Sequence, residues 1–384
     1  MKVAIVHDYL VNKGGAERVV ESLHRLYPDA PIYTSLYHPD ATYESFRGAD
    51  VRTSPLQKYS SDPAAFRRLL PLFGRAFRNM KLDGYDVVIS SSAGFAHRVR
   101  VPRGTCHVVY SYSPPRFLWG PDYDVAGVAP RWARPVVPTV LAAMRRSDKR
   151  AAHNPHFYLA VSAIAAERLR AVYGRTATVI HPPVAVDRFH IAPVTGDYYL
   201  IVARLLPHRN VELAVRAFTK MGRKLVVVGD GPMRESLEAA AGPSVKFRGS
   251  VDEKTLIDLY SRCRGLIVPG EEDFGLTPLE ANASGRPAIA LRAAGAMETL
   301  IDGVTGIHFA PATPAALAMA VEHAERTTFD PVALRAHADS FAETVFHGRV
   351  RAFVERSTES CLTCARHRRR ATRPALVPVR EVEA

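Results

Sequence analysis

The chain has 384 residues, of which 47% are hydrophobic and 23% charged, with a formal net charge of +13. That length exceeds one typical core and favours two domains, and no apolar run approaches the roughly 20 residues that span a bilayer. The positive excess implies an anionic partner, a membrane surface or phosphorylated ligands; nucleic acid is set aside because no aromatic-basic recognition module accompanies the charge.

Lys2 to His7 is apolar and β-branched, the pattern of a strand buried on both faces. It stops at His7-Asp8, too early for a secretory leader, and four cysteines are too few for a disulfide framework. A cytoplasmic protein is expected. Asn12-Lys13-Gly14-Gly15 reads as a turn, and Val19, Val20, Leu23 and Leu26 carry helical spacing after it. Gly14-Gly15 lets backbone approach a ligand closely.

Pro31 to Leu36 and Tyr85 to Ser90 read as strands. Between them Phe66, Leu69, Leu70, Phe73, Phe77 and Met80 share one helical face, although Pro71 and Gly74 are able to break it. The opposite face is basic, with Arg67, Arg68, Arg75, Arg78 and Lys81 and no acid between Asp62 and Asp83. Residues 66–81 therefore suit either an interfacial membrane contact or an ordinary helix with its apolar face in the core.

Cys106 to Tyr112 is a further strand, after which Pro114-Pro115 holds the chain extended and presents Tyr112, Arg116 and Trp119. A helix over about 131–152, a strand at Phe157 to Val161, a helix from Ala163 and a strand at Thr178 to His181 close this half. Ile191 to Gly196 reads as a linker. Strands and helices alternate again beyond it, which means a second parallel sheet covered by helices on both faces. The fold class is α/β, with two Rossmann-like doubly wound domains facing across a cleft. The domains are 1–190 and 197–345, followed by a C-terminal helix at 346–356 packing back on the N-terminal domain and a basic flexible tail at 357–384. Cys361-x-x-Cys364 with His367 is a lone pair without a second, so no metal is expected there.

Gly265 to Val268 is a buried strand, and Gly270 to Glu280 follows it into a helix. Glu272 and Glu280 are separated by seven residues, with Phe274-Gly275 between them. Thr277 lies three residues before Glu280, a capping-box pattern with Pro278 at the first helical position. Carboxylates on such a turn also suit hydroxyl-rich ligands, since each accepts from two adjacent hydroxyls. Arg204 and Arg209 flank Leu205 to His208 after the second domain's first strand, and two permanent cations beside helix N-termini suit a diphosphate.

Glu272 through Glu280 resembles the E-x7-E motif of the family-4 retaining glycosyltransferases of GT-B fold. Gly14-Gly15-Ala16-Glu17, Arg204 through Arg209, Gly229-Asp-Gly-Pro232 and Ser284-Gly-Arg-Pro287 match in the same order. Glu271 to Gly275, Tyr110 to Arg116 and His181-Pro-Pro183 look most like bacterial mannosyltransferases of polysaccharide and O-antigen assembly. The resemblance covers roughly residues 1 to 356. It implies that Glu272 contacts donor-sugar hydroxyls, Glu280 the ribose, and the backbone of Phe274, Gly275 and Leu276 the sugar and phosphates. Arg204 and Arg209 would neutralise the leaving diphosphate, with Gly231 lining the donor site, and Gly14, Gly15, Tyr112 and Arg116 would form the N-terminal side of the cleft. It further implies a retaining, metal-independent hexosyltransferase without cofactor, whose donor is a nucleotide-sugar, GDP-mannose favoured, and whose acceptor is a glycan or lipid-linked. Membrane contact through 66–81 would hold it at the inner face of the plasma membrane.

The chain departs from the family at two places. Arg209 stands where the family has Lys, and Tyr112 where it has His. Two further readings stay open: a UDP-sugar or natural-product glycosyltransferase of the same fold, and a sugar-nucleotide binding protein whose catalysis has lapsed.

Overall fold

The computed structural model describes residues 1–59, 63–120 and 134–371. Seven strands form the first sheet: β1 (Val3–His7), β2 (Ile32–Thr34), β3 (Val51–Thr53), β4 (Val87–Ser92), β5 (Cys106–Ser111), β6 (Phe157–Ala160) and β7 (Thr178–Val179). They are parallel, in the order β3-β2-β1-β4-β5-β6-β7. The second sheet holds β8 (Tyr198–Val202), β9 (Lys224–Val228), β10 (Val245–Gly249), β11 (Gly265–Val268), β12 (Ala288–Leu291) and β13 (Gly306–Phe309). It is also parallel, in the order β10-β9-β8-β11-β12-β13. Central strands such as β1, β4, β5 and β11 are buried throughout, which is why they read as continuous apolar runs rather than alternating ones. The edge strand β3 carries too little apolar signal to be legible, whereas the two-residue β7 lies within the strand expected at Thr178 to His181.

Each sheet reverses its strand order once, between β1 and β4 and between β8 and β11. Loops leaving the carboxyl ends of the strands on either side of such a point diverge and open a crevice. The loops concerned are His7 to Gly15 and Ala93 to Phe95 in the first domain, and Ala203 to Arg209 and Pro269 to Gly275 in the second. In the first crevice the Asp8 carboxylate accepts the backbone N–H groups of Ala93, Gly94, Phe95 and Ala96 at 2.6–2.8 Å, which fixes the β4 loop against the end of β1.

The linker is tied down by the Ser284 to Pro287 turn. Arg286 donates to the carbonyls of Ser261 and Ala192 at 2.8 and 3.2 Å and to the Thr195 hydroxyl. Helix Glu343–Ala371 then returns to the first domain, with Phe346 edge-on to Tyr110, Phe353 edge-on to Phe157 and Glu343 paired with Arg25. It continues through residues 357–371, which corrects the expected end of the helix at 356. Basic composition hid a helix that continues past the buried Ser357.

Helix Pro63–Arg78 is continuous through Pro71 and Gly74. Phe73 and Phe77 are buried, and Leu69, Ala76 and Met80 pack on the same cluster, so this part of the apolar face belongs to the core. The side chains of residues 63–68, 70 and 71 lie outside the described residues. No described helix is long and apolar enough to cross a membrane.

Candidate active site

The second-domain half of the site begins where β11 ends. A Cβ on Gly270 would sit 2.6 Å from the backbone of His208 and Arg209, so only glycine lets this turn lie against the loop after β8. That contact brings the Arg209 guanidinium onto the Glu272 carboxylate, which accepts a hydrogen bond from it. The side chains are 29% and 15% exposed, enough for a ligand to reach both. Arg204 is exposed and has no side-chain partner among the described residues. Arg209 and Glu272 thus neutralise each other, while Arg204 keeps its charge free. The turn bearing Gly231 packs beneath this loop, with Leu205 N–H donating to the Asp230 carbonyl at 3.0 Å and Met233 N–H to the Leu205 carbonyl at 3.2 Å.

Gly275 has φ +89 and ψ 85 and is the N-cap of helix Leu276–Ala283. The positive φ starts the helix immediately after Gly275. Thr277 is therefore already inside it, Pro278 is its third residue, and no side chain caps it. The capping box does not form. Glu280 instead accepts a hydrogen bond from the Tyr260 hydroxyl at 2.8 Å. Tyr260 is fully buried, and burial followed by the adjacent Glu280 charge raises its phenol well above its ordinary value, so it stays a neutral donor. The first-turn N–H groups of this helix have no intrahelical acceptor and make its N-terminus attractive to an anion.

Across the cleft, Gly15 lies against this helix: an added Cβ would be 3.1 Å from Leu276 Cδ1. Gly14 is the N-cap of helix Gly15–Leu26. Tyr112 donates to the Ala16 carbonyl at 3.1 Å and bonds the Ser91 hydroxyl at 2.9 Å, so its hydroxyl is engaged within the first domain, supporting the Gly-Gly loop. Burial raises its pKa well above the ordinary tyrosine value. Beside it, Glu17 is buried, with Oε1 3.9 Å from His7 Nε2.

Arg116 donates to Asp273 Oδ1 at 2.6 Å, and Arg168 donates to the same oxygen. One acid of the second domain is thus held by two cations of the first. Pro115 does not keep the chain extended here. It opens the short helix Arg116–Trp119, whose Trp119 indole turns inward to Asp148 at 2.9 Å. Beside Asp273, Phe274 is buried and stacks on His181, with ring centroids 5.1 Å apart.

A further interdomain tie is Glu298. Its carboxylate accepts the Ala163 N–H at 2.9 Å, at the N-terminus of helix Ala163–Tyr173, and contacts His181 Nε2 at 3.1 Å. Burial opposes its charge, yet the His181 bond and the backbone N–H groups of Ala163 and Ile164 outweigh that and hold its pKa below the ordinary value. Arg168, Tyr260 and Glu298 sit in no motif of the sequence.

Two doubly wound parallel domains meeting across a cleft, with switch-point loops converging on it, define the GT-B architecture. Residues 186–341, which span most of the second domain, match the family described as glycosyl transferases group 1. The GDP-mannose-dependent alpha-(1-6)-phosphatidylinositol monomannoside mannosyltransferase of Mycolicibacterium smegmatis is 29% identical over 238 residues, 52% of this chain and 62% of that protein. Among solved structures, sucrose-phosphate synthase from Thermosynechococcus elongatus superposes with a TM-score of 0.73 at 18% identity, covering 94% of this chain and 100% of that one. Anabaena HepE in complex with UDP-glucose gives 0.66 at 16% identity, over 92% and 100%. The chain spans 34% to 62% of the length of the first curated relatives it matches.

Proposed function

We propose that this protein is a retaining glycosyltransferase of the family-4 type, transferring mannose from GDP-mannose to a glycan or lipid-linked acceptor. The observation that carries the reading is the Arg209–Glu272 contact at the N-terminus of helix Leu276–Ala283, with Glu280 one helical turn further on. Donor binding exchanges partners. The diphosphate draws Arg209 away and joins it to Arg204, and the released Glu272 carboxylate accepts hydroxyls of the sugar. Both cations then oppose the charge that grows on the departing diphosphate, where electrostatic stabilisation contributes most to transfer. Glu280, held by Tyr260, faces the ribose. The chemistry needs no metal in this reading, because the arginines and helix N-terminus supply the positive field.

Mannose is favoured over glucose by the likeness to GDP-mannose-dependent relatives; HepE, solved with UDP-glucose, supports the UDP-sugar alternative. Arg75, Arg78 and Lys81 are exposed beside Leu72, and with the apolar face turned inward the membrane contact is chiefly electrostatic, at the inner face of the plasma membrane. Thermal unfolding with GDP, UDP and their sugar conjugates tests the donor. A ligand at 100 times its Kd stabilises by about 2.7 kcal/mol, and a larger shift with UDP than with GDP overturns the mannose assignment. Glu272→Ala abolishes transfer while leaving Tm near that of the parent; near-normal turnover of that variant sinks the site itself, and nucleotide binding without any transfer by the parent chain supports lapsed catalysis.

A further inference from the structure

Cys106 opens β5 and is fully buried, and Cys361 lies half-buried on helix Glu343–Ala371. They are 255 residues apart in sequence, yet their sulfur atoms lie 3.0 Å apart. That is about 1 Å beyond a covalent S–S bond. His156 completes a cluster in which one potential ligand atom from each residue lies within 4.8 Å of the others. Such a trio suggests two chemistries, metal binding and thiol oxidation.

The hydrogen bonding of His156 decides between them. Its Nδ1 accepts the His107 backbone N–H at 2.9 Å. A neutral imidazole that accepts at Nδ1 carries its proton on Nε2, and burial followed by the Arg175 charge lowers the His156 pKa and keeps the ring neutral. Neither nitrogen then offers a lone pair to a metal. Two sulfurs remain, short of the four ligands of a structural zinc site.

We infer that Cys106 and Cys361 are a redox site, a dithiol that converts to a disulfide and staples the C-terminal helix to the first sheet. The thiols are differentiated for the exchange. The hydrogen bond between them holds Cys361 below its ordinary value, and that bond together with burial raises Cys106. The accessible Cys361 therefore reacts first and the buried Cys106 resolves.

The oxidant is a small-molecule disulfide of the glutathione class. The Cys361 thiolate attacks one sulfur of it, the S–S bond breaks, and the departing thiolate takes up the proton that Cys361 lost. Cys106 then gives up its proton and attacks Cys361 Sγ, displacing the second small thiol. Two protein thiols and one small disulfide become one protein disulfide and two small thiols. Phe346, Val350 and Val354 bury the first half of the helix in either state. The staple fixes the turn at Cys361, just before the basic run of Arg366, Arg368, Arg369 and Arg370.

The test uses the full chain, purified under reductant without chelator and equilibrated in graded mixtures of reduced and oxidised glutathione. Intact mass after alkylation is expected to show loss of two thiols, peptide mapping a Cys106–Cys361 bond, and melting a Tm several degrees above the reduced form. C361S, altered at a half-exposed position that tolerates a small polar side chain, loses both signals, and C364S keeps them. The inference is overturned by a bond mapped to Cys361 and Cys364, by no thiol loss at the most oxidising ratio, by a mapped bond that leaves Tm unchanged, or by one chelator-removable zinc per chain.

Discussion

Tyr260→Phe isolates one interaction at the proposed donor site. The Tyr260 ring packs edge-on against Phe189, with centroids 5.6 Å apart. The substitution keeps that packing and removes only the hydroxyl that donates to Glu280 at 2.8 Å. A hydrogen bond to a charged acceptor contributes about 1.5–3 kcal/mol. Glu280 is half-buried, so water replaces part of the lost donor, and about 1.5 kcal/mol is expected from global stability by denaturant titration. If that bond holds Glu280 toward the ribose, donor binding loses a similar amount, roughly tenfold in Kd. Calorimetric titration with GDP and UDP measures it, with Glu280→Ala and the double variant completing a cycle. The coupling should approach the single-variant loss, because both changes remove the same bond. A Tyr260→Phe protein that is less stable but binds nucleotide as tightly as the parent refutes the positioning argument.

Gly275→Ala forces a β-carbon into a left-handed conformation and places it 3.3 Å from Glu272 Oε2. It should cost about 1–2 kcal/mol of stability and reduce transfer further than Tm alone predicts, which paired melting and turnover measurements separate. Glu298 supplies a pH dependence. Its folded pKa lies below the ordinary 4.5, so its ionised form contributes stability fully above that pH, and the contribution fades as pH falls through the depressed value. Glu298→Gln lacks it at every pH; the Tm gap between parent and variant is expected to be open at neutral pH and to close below about pH 4.5. A gap that widens on acidification contradicts the assignment.

The sequence by itself determined the alternating α/β architecture, because strands buried on both faces read as apolar runs and helices carry a 3.6-residue stripe. It also marked Gly270 to Glu280, a run short enough for its parts to stay neighbours in any fold. It misplaced the local geometry there: Thr277 and Glu280 have the spacing of a capping box, and only the positive φ at Gly275 moved the helix start ahead of Thr277 and left Glu280 to Tyr260. Only the tertiary structure decided which distant groups meet. Arg209 reaches Glu272 because β8 and β11 are neighbours at the point where strand order reverses. Arg116 and Arg168 share Asp273, Glu298 caps a helix of the other domain, and Cys361 finds Cys106. Each of these contacts joins residues far apart along the chain, and their energies come from charge, hydrogen bonding and burial created when the sheets assemble. No local pattern of residues encodes them.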